Sequence, residues 1–351
     1  MRVLAITNML PTPPRPVSGV FVEQQVQGLQ SIGIATKTVF FDRQKDGARV
    51  YYQMEPAIRQ AVAEFDPDVV HVMYGGVMAD RITRMTGLPP TVVTFHGSDL
   101  LGENLSGVTR RWISQYGIHC SRRAALRAQR LVVVGRRLLS CLPQVTHPKT
   151  RIIPCGIDLE RFKPMPQRSS RKRLGWNSST FHVLFVDGTN DPVKRPWLAH
   201  RAIAELQKLG VEAELHVMSG VPNTDVPVWM NACDVLLVTS LHEGSPTVVK
   251  EALACQKPVV SVDVGDVSEQ IRSLPFCHIA SSDPFDLALK LQQVYQADSI
   301  QSFPPQTPNN SHIHAARQLE ALYREVTVTE TQLSLRSRQH SSSISKMESF
   351  L

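Results

Sequence analysis

The sequence predicts an α/β protein of two tandem doubly wound domains, each a parallel sheet with helices on both faces, facing a central cleft. Three observations predict it. The 351 residues exceed what one hydrophobic core usually supports. Short β-branched runs alternate with helix-like segments along most of the chain, as βαβ units require. The alternation breaks once, at the Pro-, Ser- and charge-rich stretch 162–170, which fits a linker, and then restarts.

In the first half, residues 3–7, 36–41, 68–73, 91–95, 131–134 and 151–154 predict strands. Helical periodicity or composition marks 20–32, 53–65, 77–86 and 107–128 between them. Near-continuous apolar strands, such as Leu131 to Val134, fit burial on both faces. In the second half, strands are expected at 182–186, 213–217, 235–239, 258–262 and 276–279, with helices at 196–209, 226–233, 246–255, 267–272 and 284–297. An amphipathic helix at 313–326 follows a Pro/Asn-rich turn. The expected organisation is a first domain over 1–166 and a second over 167–305. A helix within 306–326 packs back on the first domain, and a Ser/Thr/Gln-rich tail, 327–351, is expected to stay disordered.

Composition narrows the class. Apolar residues at 42% and charged residues at 20% describe a soluble globular chain. The six cysteines form no CxxC pair and no His–Cys cluster, which excludes the common zinc frameworks and fits a reduced, cytoplasmic setting. No apolar run approaches the ~18 residues of a membrane span. The N-terminus runs straight into a strand, unlike a secretory signal.

The net charge of +7 is uneven: residues 100–175 hold sixteen Lys or Arg against three acids. This predicts either a solvated basic helix face or an anionic partner, such as phosphate groups or an anionic membrane surface. Trp112, Ile113, Tyr116 and Ile118 lie near Arg110 and Arg111, so one face could carry aromatics and arginines together. No nucleic-acid-binding signature is present, and no nucleic-acid partner is expected.

In open α/β sheets ligands bind beyond the carboxyl ends of the strands. The richest such loop is Ser240-Leu241-His242-Glu243-Gly244-Ser245-Pro246-Thr247-Val248-Val249-Lys250-Glu251. Ser245 is the expected N-cap and Pro246 the first helical residue, leaving the N–H groups of Thr247 and Val248 to form an anion site. Helix spacing puts Val248, Ala252 and Cys255 on the core face, and Thr247, Lys250, Glu251 and Ala254 on the opposite stripe. On helix geometry alone, Lys250 and Glu251 would simply be solvated. Three further loops follow strands. Asp187 to Pro196 carries Lys194 and Arg195, Thr94 to Asp99 carries His96 and Asp99, and Pro16 to Glu23 carries Gly19 before a helix. A lone His at a strand end is more often structural than functional. Gly19 lets the backbone approach an anion closely.

The two acids framing a Gly-Ser-Pro helix start, followed by Glu-Ala-Leu-Ala-Cys and Pro-Val-Val, resemble the Glu-x7-Glu signature of retaining glycosyltransferases. More narrowly, the match is to the family 4 (group 1) branch with the GT-B fold. Scattered motifs extend the resemblance over residues 1–325. It implies that Glu243 contacts the donor sugar hydroxyls and Glu251 holds the nucleotide ribose, as suits carboxylates facing vicinal diols. It implies that Lys194 binds the donor diphosphate and His96 the transferred sugar, while Asp99 orients its loop or meets the acceptor. Ser245, Pro246, Thr247, Val248 and Gly19 complete the donor site.

The sequence departs from the family pattern in four places. Thr189 stands where the family has an Arg, and Arg195 is the candidate replacement cation. Ser18 replaces one of two adjacent glycines, Cys155 replaces an Asn, and Gln256 replaces the Gly that would cap the helix. The family reaction needs no enzyme nucleophile, metal or other cofactor; the nucleotide-diphosphate sugar is a co-substrate and a glycan or lipid-linked molecule the acceptor. A nucleotide-sugar epimerase on the same fold and a non-catalytic nucleotide-sugar binding protein are the alternatives.

Overall fold

The computed structural model describes residues 1–102, 107–188, 192–297 and 308–329. Strands β1 (Arg2–Thr7), β2 (Ala35–Phe40), β3 (Val69–Val72), β4 (Thr91–Phe95), β5 (Arg130–Val133) and β6 (Thr150–Ile152) form one parallel sheet, in the order β2-β1-β3-β4-β5-β6. Strands β7 (Phe181–Gly188), β8 (Ala213–Ser219), β9 (Val235–Val238), β10 (Val259–Val262) and β11 (His278–Ala280) form a second, in the order β11-β10-β9-β7-β8. The two doubly wound domains expected from the alternation are therefore present. The central strands β3, β4 and β9 are buried along their whole length, which is why they carry apolar runs rather than alternation.

Both strand orders reverse direction once, between β1 and β3 and between β7 and β9. Loops leaving the carboxyl ends at these points diverge and open a crevice. The loops that follow β1, β7 and β9 carry Gly19, Lys194 and Glu243.

Short helices that were not expected lie at Arg43–Asp46, Ser98–Leu101 and Arg136–Leu139, and two further departures bear on the domain boundaries. The stretch 162–170 is not all linker, because a helix starts at Gln167 and runs to Leu174. Its Arg171 is buried and donates to the carbonyls of Ala232 and Ser178 and to Asp234, so basic composition hides an anchoring turn. The last helix spans 312–329, so it reaches past 326 into the segment expected to be disordered; residues 330–351 lie outside the described residues.

That last helix belongs to the first domain. Ala315, Ala316, Leu319, Leu322, Tyr323 and Val326 share a core with Val3, Leu29, Val69, Val92 and Val132. The Tyr323 hydroxyl lies 2.6 Å from Nδ1 of His71, whose Nε2 lies 2.6 Å from Thr94 Oγ1. Burial pushes His71 down to about 3, so it is neutral and offers one donor and one acceptor. On its way back the chain pairs with its own outgoing segment. Ile157 N donates to the Asn310 carbonyl and His312 N to the Ile157 carbonyl, both at 2.9 Å.

Candidate active site

A cavity of about 800 Å³ opens between the carboxyl ends of the two sheets. Gly19, His96 and Cys155 line it from the first domain, and Lys194, Glu243, Ser245, Pro246, Thr247, Val248 and Glu251 from the second. The structure thus brings together every residue assigned to donor binding or catalysis from the sequence. Asp99 does not line the cavity. Its buried carboxylate accepts the N–H groups of His96, Gly97 and Gly75 and fixes the loop after β4. Burial raises its pKa, and those N–H groups oppose the shift.

Gly19 sits at the start of the helix Val20–Ser31 with φ 68°, a left-handed conformation that glycine adopts without strain. A Cβ there would collide with the main chain of Met9. His96 is half-buried beside the Phe21 ring, at 4.4 Å between centroids, and lies nearly parallel to the Tyr74 ring. Burial pushes it down to about 3, so the ring is neutral. Its Nδ1 lies 3.6 Å from Cys155 Sγ, and its Nε2 is buried with no hydrogen-bond partner among the described residues.

Lys194 Nζ donates to Glu243 Oε1 at 2.6 Å. The loops carrying the two are stitched together: Leu241 N donates to the Val193 carbonyl, and Thr239 Oγ1 to the Lys194 carbonyl. Arg195 completes the seam. Its guanidinium donates to the carbonyls of Thr239 and Ser240 and to Ser282 Oγ, so it is spent on the loop rather than turned into the cavity. A second cation on the cavity wall is Arg15, paired with Asp42. Thr189 lies outside the described residues.

The helix after Glu243 differs from its expected start. It runs Thr247–Ala254 with Pro246, not Ser245, at the N-cap. The Ser245 hydroxyl is taken by buried partners: it donates to Asp266 Oδ2 at 2.7 Å and accepts from Lys250 Nζ at 2.9 Å. Lys250 also donates to the Cys155 carbonyl of the first domain at 2.6 Å. The core face is Val249, Ala252, Leu253 and Cys255, while Val248 is only partly covered, at the cavity. The stripe read as solvated is buried, with Lys250 at 2% and Glu251 at 8% exposure, because the first domain covers it. Burial pushes Glu251 up to about 7, opposed by the charges of Arg161 and Lys250, and burial lowers Lys250.

Sequence reasoning missed Lys250, Asp266 and Arg15 as members of the site. Nothing in helical period distinguishes a lysine facing water from one facing another domain. At the contact itself, Gly244 lies so close to the His96 carbonyl that a Cβ would overlap it, and Gly97 and Gly265 also approach Gly244. Arg137 and Asp263 pair across the same boundary at 2.7 Å.

Residues 15–161 match the Glycosyltransferase Family 4 model, and residues 198–302 match the Glycosyl transferases group 1 model. The chain is 28% identical over 330 residues to TuaC of Bacillus subtilis (strain 168), a glycosyltransferase assigned to teichuronic acid biosynthesis; the match covers 76% of this chain and 82% of that one. Among solved structures, sucrose-phosphate synthase from Thermosynechococcus elongatus matches with TM-score 0.69 and 16% identity, over 97% of this chain and all of the other. HepE from Anabaena, solved in complex with UDP, matches with TM-score 0.63 and 16% identity over 95% of this chain and 100% of that one. Two parallel-sheet domains facing one cavity, with both halves matched in order, place the chain in the GT-B fold, and it belongs to the family 4, group 1 glycosyltransferases.

Proposed function

We propose that the protein moves a hexosyl group from a nucleotide-diphosphate sugar to a glycan or lipid-linked acceptor, with retention of anomeric configuration and without a divalent ion. The observation that carries this reading is the single cavity lined by Gly19 and His96 on one side and by Lys194, Glu243, Glu251 and a helix start on the other. Glu251 accepts the ribose hydroxyls and Glu243 those of the donor sugar. Lys194, the N–H groups at Thr247 and Val248 and the backbone at Gly19 stabilise charge on the departing diphosphate. His96 hydrogen-bonds the transferred sugar. The acceptor oxygen attacks the anomeric carbon on the face the diphosphate leaves, and the diphosphate takes the acceptor proton. No enzyme nucleophile is required.

An acceptor at the cytoplasmic face of an anionic membrane fits one surface of the first domain. On the helix Val108–Arg127, the exposed Val108, Trp112 and Tyr116 fall at i, i+4 and i+8 on one stripe, flanked by Arg111 on one side and Ile113 on the other. Among the described residues no helix is long and apolar enough to cross a membrane.

The test is a thermal-shift panel of nucleotide sugars, since a donor that binds the native state raises its melting temperature. Turnover of the stabilising donor is then followed with lipid-linked acceptors in chelator, and the product anomer is assigned by NMR. Transfer with inversion, or only after metal addition, overturns those parts of the reading. Isomerisation of the sugar without acceptor would make the protein an epimerase, and binding without turnover a non-catalytic binder.

A further inference from the structure

We propose that His182, Glu214 and His216 form a binding site for one zinc-type divalent cation on the edge of the second sheet. The three residues come from two neighbouring parallel strands. His182 on β7 is in register with Glu214 on β8, and His216 lies two residues further along β8. Side chains two apart on a strand share a face, so all three project to the same side. Their ligand atoms lie within 4.8 Å of one another. His182 Nδ1 is 3.8 Å from Glu214 Oε2, His216 Nε2 is 3.7 Å from the same oxygen, and the two nitrogens are 2.7 Å apart.

Ligands about 2.0–2.1 Å from a tetrahedral zinc ion lie about 3.4 Å from each other. The two N···O gaps are near that value, and the N···N gap needs only a small opening. Two imidazoles and a carboxylate leave a fourth position for water, and this donor set suits zinc rather than magnesium or calcium.

The surroundings orient the ligands. His182 Nε2 lies 2.6 Å from the Asn177 carbonyl. Donating there leaves the Nδ1 lone pair facing the site, the outer contact typical of metal-bound histidine. The proton between the two rings then belongs to His216 Nε2, and as the cation takes its place it moves, through solvent, to His216 Nδ1, so the ring stays a neutral ligand. Trp176 stacks on His216 at 3.5 Å between centroids and covers the inner side. Glu214 is more than half exposed on the edge strand β8, which gives the cation an entry path. Arg171 is the nearby opposing charge, and Asp234 pairs with it at 2.6 Å. The cation would tie the edge strand to β7 and to the turn at 177. His216 is two residues, about 7 Å of strand rise, from Met218 on the cavity wall.

The experiment is equilibrium dialysis of the chelator-stripped full chain against Zn²⁺, with Co²⁺ as a spectroscopic substitute. The expected result is one Zn²⁺ per chain, a tetrahedral Co²⁺ spectrum and a raised melting temperature. Glu214→Gln should weaken uptake at least tenfold and His216→Gln abolish it. Glu214 is exposed, so its variant keeps the test valid if His216→Gln is misfolded. Absence of stoichiometric uptake, or uptake unchanged in Glu214→Gln, overturns the proposal and leaves a hydrogen-bonded histidine pair.

Discussion

Lys194 and Glu243 hold each other at 2.6 Å before any donor arrives. This arrangement keeps a cation at the cavity wall without a solvent-exposed, wandering side chain. Lys194→Ala should lower the transfer rate about 100-fold or more, as loss of one preorganised donor does. Lys194→Arg should rescue it poorly, since a planar fork does not replace a compact ammonium. Steady-state rates decide this, and near-normal turnover in Lys194→Ala would remove the residue from the mechanism. Glu251 carries a second residue-level consequence. Its pKa is raised from 4.5 to about 7 in the folded chain, so the folded state binds the proton more tightly than the unfolded one. The stability this contributes is fully present below pH 4.5 and is lost as pH rises to about 7. Glu251→Gln, which stays neutral, should gain stability relative to the parent between pH 5 and pH 8. Melting curves of the pair across that range test it, and a constant difference would show that burial does not hold the proton on Glu251.

Among the elements, the helix Thr247–Ala254 ends in a Schellman motif. Lys257 N donates to the Ala252 carbonyl and Gln256 N to the Leu253 carbonyl, with Gln256 at φ 56°. A side chain in that conformation costs about 1 kcal/mol, so Gln256→Gly should stabilise the protein by about that amount, measured by urea unfolding. The need for a left-handed residue was legible only through the resemblance, whose pattern has Gly at that position. All eleven strands were legible, the central ones because buried parallel strands carry apolar runs, and the less covered edge strands β2 and β8 through the βαβ alternation. What escaped was what depends on covering: the Gln167–Leu174 helix hides in basic residues, and Lys250 and Asp266 become a buried cluster only once the first domain lies over them. The helix Val108–Arg127 divides the basic stretch similarly. Ile118 is buried, and Arg84, Arg123 and Arg127 converge on the buried Asp80, so these charges are already used. The exposed Trp112, Ile113 and Tyr116 remain beside Arg110 and Arg111. Vesicle co-sedimentation should show binding to anionic but not neutral lipid, weakened by high salt. Equal partitioning to both lipids would remove the electrostatic reading.

For the whole molecule, the last helix is the piece whose sequence position and structural membership disagree. Tyr323→Phe removes the partner of His71 Nδ1 inside the first domain and should cost about 1–3 kcal/mol. Urea unfolding checks it, and an unchanged midpoint would mean that water reaches His71. The same helix sets an order of events at the ribosome. The face of the first sheet formed by Val3, Val69, Val92 and Val132 is complete only when Tyr323 and Val326 have been synthesised. At the usual ~5–20 residues per second, the emerging first domain waits roughly 10–30 seconds with that apolar face uncovered. Nascent chains at this stage are the ones a chaperone would hold. A chain halted before residue 312 would lack that covering helix and show a first domain without its back wall.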